Sequence, residues 1–479
     1  MGLRAAALFA GLAASVTLVT YAAQRDRLEP PRGEPVGARP AQGLFTPTVG
    51  CSAASCHGSG MPGKPGGEHS TWIESDPHTK AFQVLRNEDS VRISKNLGRT
   101  MPAHEDASCL KCHAVNEDRY FHGEKLDERE LNEGVSCDGC HGPSAKWNSL
   151  HYTGFWKTLS DRQKFEEFGF VPTKDPVARI LTCAQCHVGG RDREVNHDLI
   201  AAGHPRLSFE YTRFHYSEEY QQKHWVEKTP NPDFEVRTWL IGQVATLRAA
   251  VDLLAARADR ADVAQSPWPE FAESSCYACH QNLGPELRSN TTKTLHPRKP
   301  GALGWQLWYS SFAKVLPKLA SVVQPNGTAP ALTSLDALRA EMEKPTPNAK
   351  TISALARTAL VELDASLLSF QQGTFATNLN DQQVRTMAAT ITESVYDTAS
   401  GKLRDYDWDV LAQHGLALTA LYHGAGGTGN PTVAGWKEPL LDVRSKLAFP
   451  TTGSRVDSPR DFKPDSVYAS FRTLYELTH

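Results

Sequence analysis

The cysteines constrain this chain more than any other feature. All ten fall between Cys51 and Cys279, and all ten sit in pairs that end in histidine. Four pairs read Cys-x-x-Cys-His: Cys109, Cys112 and His113; Cys137, Cys140 and His141; Cys183, Cys186 and His187; Cys276, Cys279 and His280. A fifth is stretched, Cys51-Ser-Ala-Ala-Ser-Cys56-His57. At this composition a single chance copy has a probability on the order of 0.01, so four copies are not accidental. The spacing is the attachment signature of c-type haem. Two thiols add across the vinyl groups of one porphyrin, and a short helical turn presents both sulfurs on one side. The histidine that follows aims its imidazole at the iron. The two extra residues between Cys51 and Cys56 can bulge outward without moving either sulfur. Five covalently bound haem c groups are therefore expected, with His57, His113, His141, His187 and His280 as proximal ligands.

Other uses of paired cysteines fit less well. Structural zinc takes Cys-x-x-Cys pairs but does not require a histidine directly after the second cysteine. A thioredoxin-like redox pair occurs once, not in series. A secreted disulfide framework does not enforce this pairing.

Composition narrows the class further. With 51 basic and 54 acidic residues the net charge is −3, which argues against a nucleic-acid partner. A hydrophobic share of 40% and a mean hydropathy of −0.43 exclude a multi-span membrane protein. The 479 residues amount to roughly three domains' worth of chain.

The N-terminus reads as an export signal. Arg4 gives the positive start, an uncharged run from Ala5 to Ala23 follows, and Thr20-Tyr21-Ala22 offers a small-residue cleavage site. The run is also long enough to anchor the chain in a bilayer. Residues 1–27 are thus a signal peptide or a membrane anchor, and the protein is expected in the periplasm or on the extracytoplasmic face. Residues 28–49, rich in Pro and Gly, read as a linker.

Residues 50–300 are expected to form a pentahaem cytochrome c domain. Five porphyrins leave too little chain there for an apolar core around each, so the porphyrins themselves should be the core. Leu240, Val244, Leu247, Val251 and Leu254 make one helical stripe within Arg237–Arg257. Residues 301–479 hold no cysteine and are expected to be a helical domain without haem. Stripes there run through Ile352, Leu355, Leu360, Leu363 and Leu367, through Val410, Leu411, Leu418 and Leu421, and through Val467 to Leu477. No strand pattern is convincing. The expected fold class is mainly α with extensive loops, a multihaem core plus a C-terminal helical bundle.

Each iron has a second axial position. Nine further histidines lie within the haem segment: His69, His78, His104, His122, His151, His197, His204, His215 and His224, with His296 just beyond. That density points to bis-histidine ligation and low potentials; only Met61 and Met101 lie near the motifs. His215 and His224, among aromatic residues, read as packing. His414 and His423 on the tail helices read as structural.

Two stretches resemble the cytochrome c-554 family of multihaem proteins. One is Cys51 to His57 followed by Trp72 and Asp76-Pro77-His78-Thr79-Lys80-Ala81-Phe82. The other is Gly134-Val135-Ser136-Cys137-Asp138-Gly139-Cys140-His141-Gly142-Pro143, followed by His151. The likeness spans about residues 50–210. It implies that His78 and His151 are distal ligands and that a histidine after the fourth motif is another, with His204 or His197 in place. His104 and His122 are weaker distal candidates. The likeness also implies an iron on His113 without a protein distal ligand, a site that His104 could close. A fifth motif, a stretched first motif and a long helical tail depart from the family.

The expected function is an electron relay between redox partners, such as other redox proteins or a membrane quinol enzyme, with no catalytic residue of its own. The alternative is a multihaem oxidoreductase acting on a small nitrogen or sulfur oxide at one open-coordinate haem. Pentahaem nitrite reductases typically carry Lys in one motif, and no Cys-x-x-Cys-Lys occurs here.

Overall fold

The core is a long helix with others laid against it. Phe234–Asp262 carries the predicted stripe and extends it, with Val236, Leu240, Val244, Leu247, Val251 and Leu254 all buried. In the computed structural model Phe234–Ala261 is long and apolar enough to cross a membrane, but 94% of its most apolar window is buried inside the protein. Helices Pro176–His187, Ala349–Gln372 and Trp408–Gly424 pack against it. The structure describes residues 33–41, 43–115, 128–216, 234–262, 267–279, 303–324, 332–373, 379–405, 407–448 and 462–479. Met1–Glu34 forms one unit and Pro35–His479 another; the signal or anchor segment lies outside the described residues.

The architecture is mainly α, as the periodicities predict. The stripe through Ile352 lies on Ala349–Gln372, capped by Asn348, whose side chain accepts from Thr351 N–H. The stripe through Leu411 lies on Trp408–Gly424, and the last on Tyr468–Thr478. Among the described residues the sheet content is one two-stranded ladder, with Tyr396 opposite Leu403.

One apolar cluster runs from Val177 to Leu474 and crosses residue 300 without a break. Burial of large side chains such as Trp239, Trp305, Phe312 and Phe471 removes apolar surface from water at roughly 25 cal/mol per Å2. Two polar networks tie its parts together. Arg248 Nε donates to Asp364 at 2.8 Å, joining two long helices. Glu273, wholly buried, accepts from Arg257 Nη1 at 2.7 Å, Trp305 Nε1 at 3.0 Å and Gln306 Nε2 at 3.0 Å.

The first three motifs stand outside that cluster. Among the described residues two small apolar clusters serve them: Phe82, Leu85, Ala103, Leu110 and Ala114, and Val36, Phe165, Val171 and Ala178. Short helices, 3-10 turns and loops make up the rest of this part.

Candidate haem-binding site

The four regular motifs each end a short helix or lie on one. Cys109, Cys112 and His113 lie on Ala107–His113, whose N-cap Asp106 accepts from Ser108 N–H at 2.8 Å and from the Arg99 guanidinium. Cys137–His141 is a helix of its own. Cys183, Cys186 and His187 close Pro176–His187, where Asp175 caps the N-terminus and Pro176 fits the first turn. Cys276–Cys279 is a single turn. The stretched first motif forms turns instead of a helix: Ala53 carbonyl accepts from both Cys56 and Gly58 N–H. All ten cysteines are free of disulfides.

Among the described residues three histidine pairs face one another. The ring centres of His57 and His151 are 6.2 Å apart, those of His78 and His187 5.9 Å, and those of His113 and His204 6.5 Å. Two imidazoles that share one metal, each bonded at about 2.0 Å, hold their centres roughly 6 to 6.5 Å apart. The first pair is nearly coplanar at 17°, and the others cross at 89° and 88°.

The other ring nitrogen is used in the same way at most of these histidines. Nδ1 of His113 donates to Ala81 carbonyl at 2.8 Å, that of His151 to Asn148 carbonyl at 2.6 Å, and that of His204 to Pro205 carbonyl at 2.7 Å. His78 Nδ1 donates to Asp76 at 2.8 Å and His57 Nδ1 to Glu68 at 3.1 Å. His141 Nδ1 lies 3.4 Å from Thr173 Oγ1. Engaging Nδ1 fixes the tautomer and leaves Nε2 aimed outward, as metal-bound imidazoles require. Among the described residues no three His, Cys, Asp or Glu side chains converge on a metal position. Two facing imidazoles with paired thiols alongside therefore suit an iron whose other four ligands come from a porphyrin, and not a zinc ion held by four side chains.

Electrostatics around the pairs follows burial. Burial pushes the His187 imidazole down to about 4, with the neighbouring His78 and His113 adding to it. At His78 burial pushes downward too, but the Asp76 carboxylate prevails and the net shift is upward. Burial raises the Cys183 thiol to about 12 and the Cys140 thiol as well. Behind the His187 pair lies a carboxyl couple. Phe209 stacks on His187 at 4.9 Å, and the next residue, Glu210, accepts from Thr212 and Arg213. Burial, and then the charge of Glu210, push Glu235 up to about 8. A carboxyl raised in the folded state keeps its proton while the unfolded chain loses it, so stability falls as pH climbs from about 4.5 to about 8. Glu235→Gln should therefore leave stability unchanged near pH 4 and raise it by on the order of 3 kcal/mol at pH 8. Chemical denaturation at both values checks this; an equal effect at both pH values would refute it.

The motifs also touch one another. The Cys51 and Cys137 side chains lie close enough to shift each other's protonation. Buried Asp138, inside the third motif, accepts from Thr46 N–H at 2.8 Å, and Glu133 accepts from Thr48 Oγ1 at 2.8 Å, so the strand of chain entering the first motif is fastened to the third. Cys140 lies within electrostatic reach of Cys183 and Cys186. Arg193 Nε, six residues past His187, donates to Lys111 carbonyl within the second motif at 2.7 Å. The segment around His78 joins three motifs. His78 faces His187, Ala81 receives His113, and His78 carbonyl accepts from Val135 N–H just before Cys137. At Gly134, φ is +62° and a Cβ would stand 2.5 Å from that carbonyl, so glycine is required there. Trp72 Nε1 donates to Val135 carbonyl at 3.1 Å from the other side.

The remaining candidates are placed as follows. His197 begins the helix His197–Ala202; its ring meets Phe271, five residues before Cys276, at 5.9 Å, and its N–H donates to Glu270. His104 Nε2 points to Glu105 at 3.7 Å, and the residue brought opposite His113 is His204 instead. The open position that the family resemblance implies at His113 is thus faced by an imidazole. His69 packs on Trp72, and His215 stacks on Tyr211. His414 engages both nitrogens, with Val410 carbonyl and Ser394 Oγ, as a structural residue does. His122, His224, His280 and His296 lie outside the described residues. Sequence reasoning did not single out Asp407 and Asp409. Asp407 accepts from Ser275 Oγ at 2.6 Å, and Asp409 binds Arg206 through two hydrogen bonds of 2.8 and 2.7 Å. An acidic residue between helices reads as solvated, and only their burial reveals otherwise.

Residues 49–142 match the family of cytochrome c554 and c-prime. That stretch holds the first three motifs and is similar to c-type cytochromes of electron transfer, typically extracytoplasmic proteins whose haem is covalently bound. The match stops before the fourth motif. No curated protein and no solved structure matches the chain.

Proposed function

We propose that the chain is a periplasmic pentahaem c-type cytochrome that relays electrons between redox partners. The single observation that carries this reading is the set of three facing imidazole pairs, each backed by hydrogen bonds at Nδ1. On this reading His57 and His151, His187 and His78, and His113 and His204 each supply both axial ligands to one iron. His141 serves the third motif and His280 the fifth; His197, whose ring meets Phe271 five residues before Cys276, is the candidate distal ligand for the fifth. Haem supplies reversible one-electron chemistry, and the chain sets each potential by axial ligand, burial and nearby charge.

The contacts between motifs support one order for the row: first, third, fourth, second, fifth. Cys51 adjoins Cys137, Cys140 adjoins Cys183 and Cys186, and His187 adjoins His113. Arg206, two residues after His204, lies within reach of Cys276. The two ends of this row carry the two exposed cysteines, Cys56 and Cys279. Electrons would enter and leave there, while the cysteines of the middle positions are half-buried.

The His204 imidazole facing His113 favours a relay over small-molecule chemistry at the second motif. The test is intact mass and spin state of the exported protein. The expected outcome is five covalent porphyrins and low-spin, six-coordinate iron for the pairs named above. Fewer porphyrins, or a high-spin second haem that shifts with cyanide, would overturn the reading in favour of an oxidoreductase acting at an open iron.

A further inference from the structure

The tail reaches into the junction between the second and fifth motifs. Asp405, Asp407 and Asp409 lie at the start of Trp408–Gly424, and all three are buried. They are chained together, since Asp407 N–H donates to Asp405 and Asp409 N–H to Asp407. Asp407 holds Ser275, the residue directly before Cys276. Asp409 grips the guanidinium of Arg206, which follows His204 by two residues. Both members of that ion pair are well buried, at 14% and 2% exposure, and the Cys276 thiol is within electrostatic reach of Arg206. Neighbouring residues lock the same loop: Tyr309 Oη donates to Leu207 carbonyl at 2.9 Å and Trp308 Nε1 to Phe209 carbonyl at 3.0 Å, while Trp308 stacks on Trp408.

We propose that Asp409, from the part of the chain that carries no cysteine, is a positioning and tuning residue for the second and fifth haems. It cancels the charge of Arg206 beside His204, and with Asp407 it fixes the distal-ligand loop against the fifth motif. This rests on the relay reading above. An arginine cannot shed its proton, so its charge persists when the partner is lost. An uncompensated buried cation next to a haem favours the reduced iron, whose net charge is lower, and raises its midpoint.

The test is potentiometry of the full, haem-loaded chain. Asp409→Asn should raise the midpoint of at least one haem by a tenfold or greater change in the ratio of reduced to oxidised form, which is 59 mV for one electron. Asp409→Glu should leave the ratio within threefold of the native value. The double variant Arg206→Gln with Asp409→Asn should return to within threefold as well, because neither charge remains. A native-like titration of Asp409→Asn, or a double variant displaced as far as the single one, overturns the proposal. If Asp409→Asn does not fold, Arg206→Gln at about pH 9.5, where an unpaired buried carboxyl is ionised, should lower a midpoint by the same factor; no movement overturns the proposal. His204→Ala separates the two levels. If it leaves the low-spin spectrum intact, the ligand assignment fails. If it converts one haem while Asp409→Asn moves nothing, only the junction inference fails.

Discussion

Replacing His204 with glycine is expected to convert one haem, that of the second motif, from low-spin to high-spin iron. The His113 ring would then lose the imidazole that faces it, whose ring centre stands 6.5 Å away. His204 sits after Gly203, which ends its helix at φ +119°, and before Pro205, whose carbonyl receives Nδ1. Removal of the ring leaves this loop tied through Arg206 and Tyr309, so the loop keeps its place. Small ligands such as cyanide or nitric oxide should bind the variant at that iron and leave the native protein's second haem unchanged. His204→Met, by contrast, should keep six-coordination and raise the potential, because a thioether ligand favours the reduced metal. Electron paramagnetic resonance and redox titration read these outcomes. A glycine variant with the native low-spin signal would show that His113 and His204 do not share an iron.

Glu273→Ala is expected to give the largest loss of stability from a single side chain. The carboxylate is wholly buried and takes donors from Arg257, Trp305 and Gln306. Arg257 retains Glu194, which is a third exposed and therefore a weaker, better hydrated partner. Removing one member of a buried pair typically costs about 3–5 kcal/mol, because the other charge is left without compensation. The urea midpoint should fall accordingly, and the fifth motif, three residues downstream, should load haem poorly. A variant with a native midpoint would show that water replaces the lost oxygens without penalty.

Much of this arrangement is written in local sequence. The attachment motifs need only spacing, and the helices Phe234–Asp262 and Ala349–Gln372 need only a period of 3.6. His78 and His151 stand out by the family resemblance, and His204 by that resemblance and the Gly and Pro that flank it; the structure adds that each finds its Nδ1 partner, at Asp76, Asn148 and Pro205, within three residues. The pairing across the irons is not local. His57 meets a residue 94 positions later and His113 one 91 positions later, and no pattern along the chain encodes which loop faces which motif. The same holds for residue 300, where a composition change suggests a boundary but side chains from both sides fill one apolar cluster. Arg206 and Asp409 are separated by 203 residues, and a charge in a loop gives no sign of its burial.

The uneven distribution of apolar contacts bears on how such a chain matures. From Val177 onward the protein has its own interior, whereas the first three motifs rest on a handful of small contacts and on hydrogen bonds. Before any tetrapyrrole is joined, the leading third has little apolar surface to collapse around. Each addition then supplies the greasy surface that the polypeptide lacks. The pigment is in this sense a building material first and a conductor second.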